Sequence, residues 1–328
     1  MDLQVKEIHT KVEKEIPVIE SLFSELQKRI VGQEKMLQAL IIGLVCKGHI
    51  LIEGVPGLAK TLTIKTLSDV LNLDFKRIQF TPDLLPSDII GTLIYNQKDC
   101  KFEPKKGPLF ANLILADEIN RAPAKVQSAL LEAMQEKQVT IGNNTYELPE
   151  PFLVMSTQNP IEQEGTYNLP EAEIDRFMLK VNITYPNKEE EKIILNRMIN
   201  NSEIPVNKIL NKSKISFLSG LIDEIYISDR IKNYIVEIIN ATRIPEEYNL
   251  DISSLIDYGA SPRASIFLAR ASKANALLNG RGYVTADDVK SISFPVLCHR
   301  IILSYEAEAE GITTEDIIKK IFNSITVP

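Results

Sequence analysis

An eight-residue segment, GVPGLAKT at residues 54–61, constrains the fold of this 328-residue chain more than any other feature. It follows a short apolar run at residues 49–53 and precedes a helix-period run at residues 62–70, so we expect a strand, a tight loop and a helix in succession. Its spacing is that of the phosphate-binding loop G-x-x-x-x-G-K-[ST], except that Ala59 replaces the second glycine. We expect little loss from this alanine, because a residue at a helix entry can take helical backbone angles.

The residue types in this loop suit the binding of a nucleotide phosphate. Glycines let the backbone curl so that successive N–H groups face phosphate oxygens at a helix N-terminus. Lys60 supplies a charge for the β- and γ-phosphates, and Thr61 supplies a hydroxyl ligand for magnesium. The predicted nucleotide-binding residues of the loop are Gly54, Val55, Pro56, Gly57, Leu58, Ala59, Lys60, Thr61 and Leu62. The alternative is a glycine-rich turn that binds nothing.

Two acidic residues end the third predicted strand. Residues 112–116 form an apolar run, and Asp117 and Glu118 follow it directly. Open α/β sheets bind their ligands at the carboxyl ends of the strands. At that edge Asp117 can hold magnesium through water, and Glu118 can orient or deprotonate an attacking water. Acids after an apolar strand are commonplace, but beside a phosphate-binding loop they indicate hydrolysis of ATP or GTP.

Five apolar runs, separated by helix-period segments, predict a parallel sheet covered by helices. The runs lie at residues 49–53, 75–80, 112–116, 152–157 and 178–183. Between the third and the fourth run, Val126, Leu130 and Met134 recur every four residues. With Pro123 ahead of them, they predict an amphipathic helix over residues 122–137. The expected fold is an α/β P-loop NTPase with a five-stranded parallel sheet.

Two hairpins and a domain boundary complete the predicted organisation. Hairpins are expected at residues 92–103 and 138–148, each with polar residues at its tip. The strand signal stops at residue 186, where Asn187 can cap a helix rich in Lys and Glu. Strong periodic segments beyond it are all helical, including residues 230–242, 262–278 and 286–297. We predict an α/β domain at residues 1–186 and a small all-α domain at residues 187–328.

Composition excludes several classes of protein. The 37 Lys and Arg residues against 44 Asp and Glu residues give a net charge of −7, which opposes general attraction to polyphosphate or to anionic membranes. The longest apolar run, residues 39–46, is far shorter than the roughly 18 residues that span a bilayer, so we expect no membrane insertion. Three scattered cysteines and three dispersed histidines predict neither a disulfide framework nor a transition-metal centre. The first thirty residues contain no apolar signal segment, and we expect a cytoplasmic protein.

Eight stretches of the chain resemble one known family. They are IVGQE at 30–34, EGVPGLAKT at 53–61, LADEINRAP at 115–123, AMQE at 133–136, TQNP at 157–160, LPEA at 169–172, DRF at 175–177 and GASPRA at 259–264. In these stretches the chain resembles the MoxR-type ATPases of the AAA+ superfamily over nearly its whole length. The same alanine is common in the phosphate-binding loop of that family.

The resemblance implies an ATP-driven homo-oligomer, usually a hexameric ring. In such rings each nucleotide lies between the sheet domain and a helical lid, and the neighbouring subunit completes the site. The rings remodel, mature or assemble client proteins, often with a partner that carries a von Willebrand factor A domain. The expected ligands are therefore ATP and Mg²⁺, and the expected activity is chaperone-like.

Two further site residues take their expected roles from the resemblance. Asn159, after the fourth strand, resembles the sensor-1 residue that positions the attacking water, although Asn159-Pro160 is also an ordinary turn dipeptide. Arg176 resembles the finger that neutralises charge on the γ-phosphate of the adjacent subunit. Its alternative is a local ion pair with Glu173 or Asp175.

The remaining assignments concern the lid and the nucleotide base. Arg263 resembles the sensor-2 residue of the lid, which touches the γ-phosphate. Alternatively, Arg263 is a solvent-exposed arginine in the first turn of a helix, a position that the helix dipole disfavours for a positive charge. Ile30, Val31 and Gly32 are expected to border the adenine, although an apolar helix connector would look the same. Arg121 acts across the interface or ties the strand end to the next helix. The two hairpins resemble insertions that face the pore of the ring.

Three other functions remain possible from the sequence. A DNA translocase is suggested by four lysines of the first hairpin, Lys98, Lys101, Lys105 and Lys106. With only Tyr95 and Phe102 to stack on bases in an acidic protein, a solvated loop explains them better and nucleic acid is not the expected partner. A metal-chelatase motor subunit shares the ring and the von Willebrand partner. A nucleotide-gated scaffold with little turnover is disfavoured, because Glu118, Asn159 and Arg176 are all present.

Overall fold

The computed structural model describes residues 3–54, 58–159, 165–199 and 204–328. The helices are α1 (Leu3–Glu13), α2 (Ile16–Arg29), α3 (Glu34–Cys46), α4 (Lys60–Leu71), α5 (Pro86–Ile90), α6 (Ala124–Glu136), α7 (Glu171–Ile174), α8 (Lys188–Ile199), α9 (Lys212–Glu224), α10 (Asp229–Ala241), α11 (Pro262–Leu278), α12 (Ala286–Leu297), α13 (Tyr305–Ala309) and α14 (Thr314–Ser324). The strands are β1 (Ile50–Glu53), β2 (Phe75–Gln79), β3 (Gly91–Asn96), β4 (Lys101–Lys106), β5 (Leu113–Asp117), β6 (Gln138–Ile141), β7 (Asn144–Glu147), β8 (Leu153–Gln158), β9 (Leu179–Asn182), β10 (Ile256–Tyr258) and β11 (Ile302–Leu303).

The central element is a five-stranded sheet in the order β2-β5-β8-β1-β9. The pairs β1 with β8, β2 with β5, and β5 with β8 are parallel. The inner strands β1, β5 and β8 are almost wholly buried, as is typical of a parallel sheet with helices on both faces. This confirms the predicted α/β fold, and each of the five predicted apolar runs overlaps one of the five strands, with β5 and β8 each extending one residue beyond its run.

The strand register aligns the carboxyl ends of four strands. Glu53 at the end of β1 pairs with Gln158 of β8, and Gln79 at the end of β2 pairs with Asp117 of β5. Four polar side chains therefore leave the sheet at one edge. The start of α4, the next helix after β1, lies near this edge, because Lys60 and Thr61 line the same cavity as Asp117.

Packing divides the chain into two compact units. The sheet unit comprises Glu20–Phe177 and Val181–Ser216, and the helical unit comprises Met1–Ile19, Met178–Lys180 and Phe217–Pro328. This division differs from the predicted boundary between residues 186 and 187. In the sheet unit, for example, the amide of Ile209 donates to the carbonyl of Val70 at 2.8 Å. In the helical unit, Lys11 of α1 forms an ion pair with Glu224 of α9 at 2.6 Å.

Local predictions hold with two differences. Both hairpins form, as β3–β4 and β6–β7, and Asn187 caps α8 by accepting the amides of Glu189 and Glu190 at 3.0 Å. The helix predicted from residue 122 begins at Ala124, because Pro123 has extended backbone angles and is its N-cap. The helical unit also contains a small antiparallel pair, β10 with β11, which helical periodicity does not reveal. None of the helices among the described residues is both long and apolar enough to cross a membrane.

A buried histidine joins three elements of the sheet unit. His49 precedes β1; its Nε2 lies 3.1 Å from the carbonyl oxygen of Met134 in α6, and its Nδ1 accepts the amide of Val154 in β8 at 3.0 Å. A neutral ring with its proton on Nε2 makes both hydrogen bonds. Burial lowers the pKa of His49 to about 4, so the imidazole is neutral in the folded chain at pH 7.

We expect this histidine to make the folded chain sensitive to acid. An unfolded histidine titrates near pH 6.5, so between that pH and about pH 4 the unfolded chain binds a proton that the folded chain does not. The contribution of His49 is complete above pH 6.5 and is lost as the pH falls. Between pH 7 and pH 4, denaturant titration should show wild type losing roughly 2 to 3 kcal/mol more unfolding free energy than His49→Gln. Parallel pH profiles of the two proteins would contradict this account.

Candidate nucleotide-binding site

A cavity of about 400 Å³ opens at the carboxyl edge of the sheet. Its walls are Gly54 and residues 58–62 of the loop and α4, Arg77 of β2, Asp117 and Glu118 after β5, and Thr157 and Asn159 at the end of β8. The described residues of the predicted phosphate-binding loop and both predicted carboxylates therefore share one cavity. Val55, Pro56 and Gly57, the remaining predicted loop residues, lie outside the described residues.

Gly54 and Lys60 contact each other at this cavity. Gly54 has no room for a side chain, since a Cβ atom there would lie 2.9 Å from the carbonyl oxygen of Ile183. Lys60 donates from Nζ to the carbonyl oxygen of Gly54 at 2.6 Å. Partial burial lowers the pKa of Lys60, while the charges of Asp117 and Glu118 oppose this shift. A bound phosphate would add the negative charge that a partly desolvated ammonium favours.

The backbone of Ala59 corrects one expectation. Ala59 does not enter the helix with helical angles; it is the N-cap of α4 with φ 57° and ψ 19°, in the left-handed region. A non-glycine residue pays roughly 1 to 2 kcal/mol in this conformation, because Cβ approaches the following carbonyl oxygen. The glycine of the usual motif would avoid this strain, so the alanine is a costly replacement.

Asp117 is held by two donors that the sequence reasoning did not identify. Thr157 donates from Oγ1 to Oδ1 of Asp117 at 2.7 Å. Arg77 donates from Nε and Nη2 to Oδ2, at 3.1 Å and 2.6 Å. Both carboxylate oxygens are therefore oriented by the protein; Oδ2 accepts two hydrogen bonds, whereas Oδ1 accepts one and keeps a second lone pair for a further donor.

Glu118 is held through one carboxylate oxygen. Its Oε2 accepts a hydrogen bond from Nε2 of Gln79 at 2.8 Å and lies 3.2 Å from Nε of Arg121. Among the described residues, none donates to Oε1 of Glu118. The backbone of Glu118 is in the left-handed region, with φ 57°, where residues other than glycine are uncommon. Arg121, whose role the sequence left open, therefore contacts the carboxylate expected to be the base.

Arg77, Gln79 and Thr157 were not identified from the sequence, because strand pairing is what brings them to the two carboxylates. Arg77 and Gln79 lie on β2, an edge strand with exposed side chains on both faces, and the apolar pattern of this strand says nothing about its polar positions. Thr157 is a polar residue within a buried apolar strand, and this is a pattern in the sequence that could have marked it as a candidate site residue. Only the register shows that all three reach Asp117 or Glu118.

The predicted adenine-binding residues do not line this cavity. Gly32 has φ 65°, and a Cβ atom there would lie 2.7 Å from Oε1 of Glu190 in α8. The neighbouring Gln33 donates from Nε2 to the carbonyl oxygen of Thr184 at 3.1 Å. The segment that contains Val31 and Gly32 thus lies against the chain that leads into α8.

The three other predicted site residues have different surroundings. Asn159 is 7% exposed and lines the cavity. Arg176 lies in the turn after α7 and is not among the lining residues; within the described parts of the chain its guanidinium makes no ion pair with Glu173 or Asp175. Arg263 lies in the first turn of α11, in the helical unit.

Two family sequence models match this chain, one mainly in its first half and one near its end. The sequence model of the ATPase family associated with various cellular activities (AAA) matches residues 49–179, and that of the AAA lid domain matches residues 249–321. Chaperone MoxR1 of Mycobacterium tuberculosis is 46% identical over 315 residues, which cover 96% of this chain and 83% of the relative. Protein MoxR of Paracoccus denitrificans is 30% identical over 321 residues, which cover 91% of this chain and 93% of the relative.

A solved structure shows the same fold. The crystal structure of a proposed ATPase from Cytophaga hutchinsonii superposes with a TM-score of 0.91, at 52% identity and with 98% of each chain covered. The family assignment rests on this structural match and on the relatives that are matched over most of their length. The aligned strand ends and the cavity agree with it. The chain belongs to the MoxR family of AAA+ ATPases.

Proposed function

We propose that this protein hydrolyses ATP in a magnesium-dependent reaction at the cavity that Lys60, Asp117, Glu118 and Asn159 line. The convergence of a phosphate-binding lysine with two strand-end carboxylates is the observation that carries the proposal. Family membership supports it independently, because the family consists of ATPases.

The residues of the chain have separate tasks in this reaction. Lys60 neutralises phosphate charge where burial strengthens electrostatic interactions. Glu118, anchored through Oε2 by Gln79 and Arg121, offers Oε1 to accept a proton from the attacking water. Asn159, at the end of β8, has an amide that can hydrogen-bond that water.

The donor set fits a magnesium ion. The hydroxyl of Thr61 and the carboxylate of Asp117, through water, would hold it, and both residues line the cavity. Magnesium prefers oxygen ligands and usually keeps several of its waters when it binds beside phosphates. When bound, it would neutralise charge on the β- and γ-phosphates.

Removal of the proposed base tests this function directly. Glu118→Gln keeps the size and hydrogen bonding of the side chain but cannot accept the proton, so ATP affinity should survive while turnover falls by about 10² to 10⁴. Single-turnover hydrolysis and nucleotide titration measure the two quantities. Glu136→Gln, the same change on an exposed carboxylate of α6, is the matched control and should retain wild-type rates. Near-normal cleavage by Glu118→Gln would return Glu118 to a structural role.

The wider function is proposed from the named relatives. One relative is called a chaperone, which supports a role in remodelling, maturing or assembling client proteins. We place the activity in a hexameric ring in the cytoplasm, with a von Willebrand factor A domain protein as partner. The position of Arg176 outside the cavity of its own chain supports a site completed by a neighbour.

A mixing experiment tests the shared site. Arg176→Ala should bind ATP normally and hydrolyse it slowly, because a finger of this kind contributes about 10³ to 10⁵ in rate. Lys60→Ala should be inactive but still present its own Arg176. Mixed subunits of the two variants should therefore recover activity, measured as phosphate release per active cavity.

Two controls complete this experiment. Arg230→Ala removes an exposed arginine of α10 and should behave as wild type in the same mixtures. Co-assembly is verified by differential labelling of the two variants. Activity no greater than the sum of the separate variants, in confirmed mixed assemblies, would contradict a finger that acts between subunits.

A further inference from the structure

The hydroxyl of Thr157 connects the two residues that carry the proposed chemistry. It donates to Oδ1 of Asp117 at 2.7 Å and accepts the backbone N–H of Glu118 at 2.8 Å. The side chain is 1% exposed, so no bulk water can replace these bonds. A threonine hydroxyl has a single proton to donate, and here Asp117 receives it.

Thr157 can bridge Asp117 and Glu118 because the pairing of β5 with β8 ends one residue before it. The paired register of β5 with β8 ends at Ala116 opposite Ser156, so Asp117 and Thr157 come next on the two strands. At Glu118 the backbone turns into the left-handed region and leaves the sheet. Its N–H therefore has no strand carbonyl to meet, and the Thr157 hydroxyl accepts it instead.

We infer that Thr157 is a positioning residue for ATP hydrolysis: its hydroxyl orients the Asp117 carboxylate towards magnesium and fixes the backbone from which the Glu118 carboxylate extends. This inference rests on the proposed function. Thr157 acts through its two hydrogen-bonded neighbours, Asp117 and Glu118. The outer partners of a metal-binding group typically affect metal affinity or activity by 10- to 100-fold.

A purely structural role makes a different prediction. A buried hydroxyl that only satisfies polar groups at the end of a sheet would affect stability and leave the chemistry of the folded protein unchanged. The neighbouring Ser156 provides a matched control, since its buried hydroxyl has no hydrogen-bond partner within the described residues.

The experiment compares Thr157→Val, Thr157→Ser and Ser156→Ala in the full chain. Thr157→Val keeps the branched shape without the hydroxyl, and we expect kcat to fall about 10- to 100-fold. Titration with ATP should show normal affinity in EDTA but a smaller gain in affinity when Mg²⁺ is added. Thr157→Ser restores the hydroxyl and should retain both properties within about threefold of wild type, as should Ser156→Ala.

Each result decides the inference. Wild-type kcat and a wild-type Mg²⁺ gain in folded Thr157→Val would overturn it, and so would equal losses in the valine and serine variants. If the valine variant does not fold, Thr157→Ala takes its place in the same comparison. A wild-type protein without turnover would refute the proposed hydrolysis, and the Mg²⁺ dependence of ATP binding would then decide the role of Thr157 alone.

Discussion

The parallel register of β1, β5 and β8 is the constraint on which the site depends. Because these strands are buried and paired in fixed register, their carboxyl ends stop at one edge, and the polar residues after each apolar run are brought within hydrogen-bond reach. A slip of one residue in a strand would turn its side chains to the opposite face and expose apolar residues that are now buried. The packing of the core therefore sets the geometry of the chemistry.

Positively and negatively charged side chains line the same cavity. Lys60 and Arg77 lie beside Asp117 and Glu118, and the cations are partly satisfied by a loop carbonyl and by Asp117. Left-handed backbone at Ala59 and Glu118 adds local strain at the positions that present the loop and the proposed base. Strain of this kind persists where the surrounding structure over-determines it, and it is common at functional sites.

Sequence reasoning succeeded where packing leaves a local pattern. The five strands and α6 were predictable, because buried strands show as apolar runs and a helix on a sheet repeats its apolar residues every three to four positions. Lys60 was predicted from the spacing of the loop motif and Asp117 from its position after an apolar run, and both line the cavity. The left-handed angles of Ala59 were not, since alanine has no local preference for them and the loop imposes them. Arg77 and Gln79 were missed because only the pairing of an exposed edge strand brings them to the carboxylates.

The central claim is that Lys60 binds the phosphates of ATP in this cavity, and direct titration with ATP tests it most simply. The comparison is Lys60→Ala against Lys65→Ala, which removes an exposed lysine from the same helix. Charge-assisted hydrogen bonds contribute about 1.5 to 3 kcal/mol, so Lys60→Ala should lose roughly 10- to 100-fold in ATP affinity while Lys65→Ala binds as wild type. Equal ATP affinity in the two variants would contradict the assignment of the cavity.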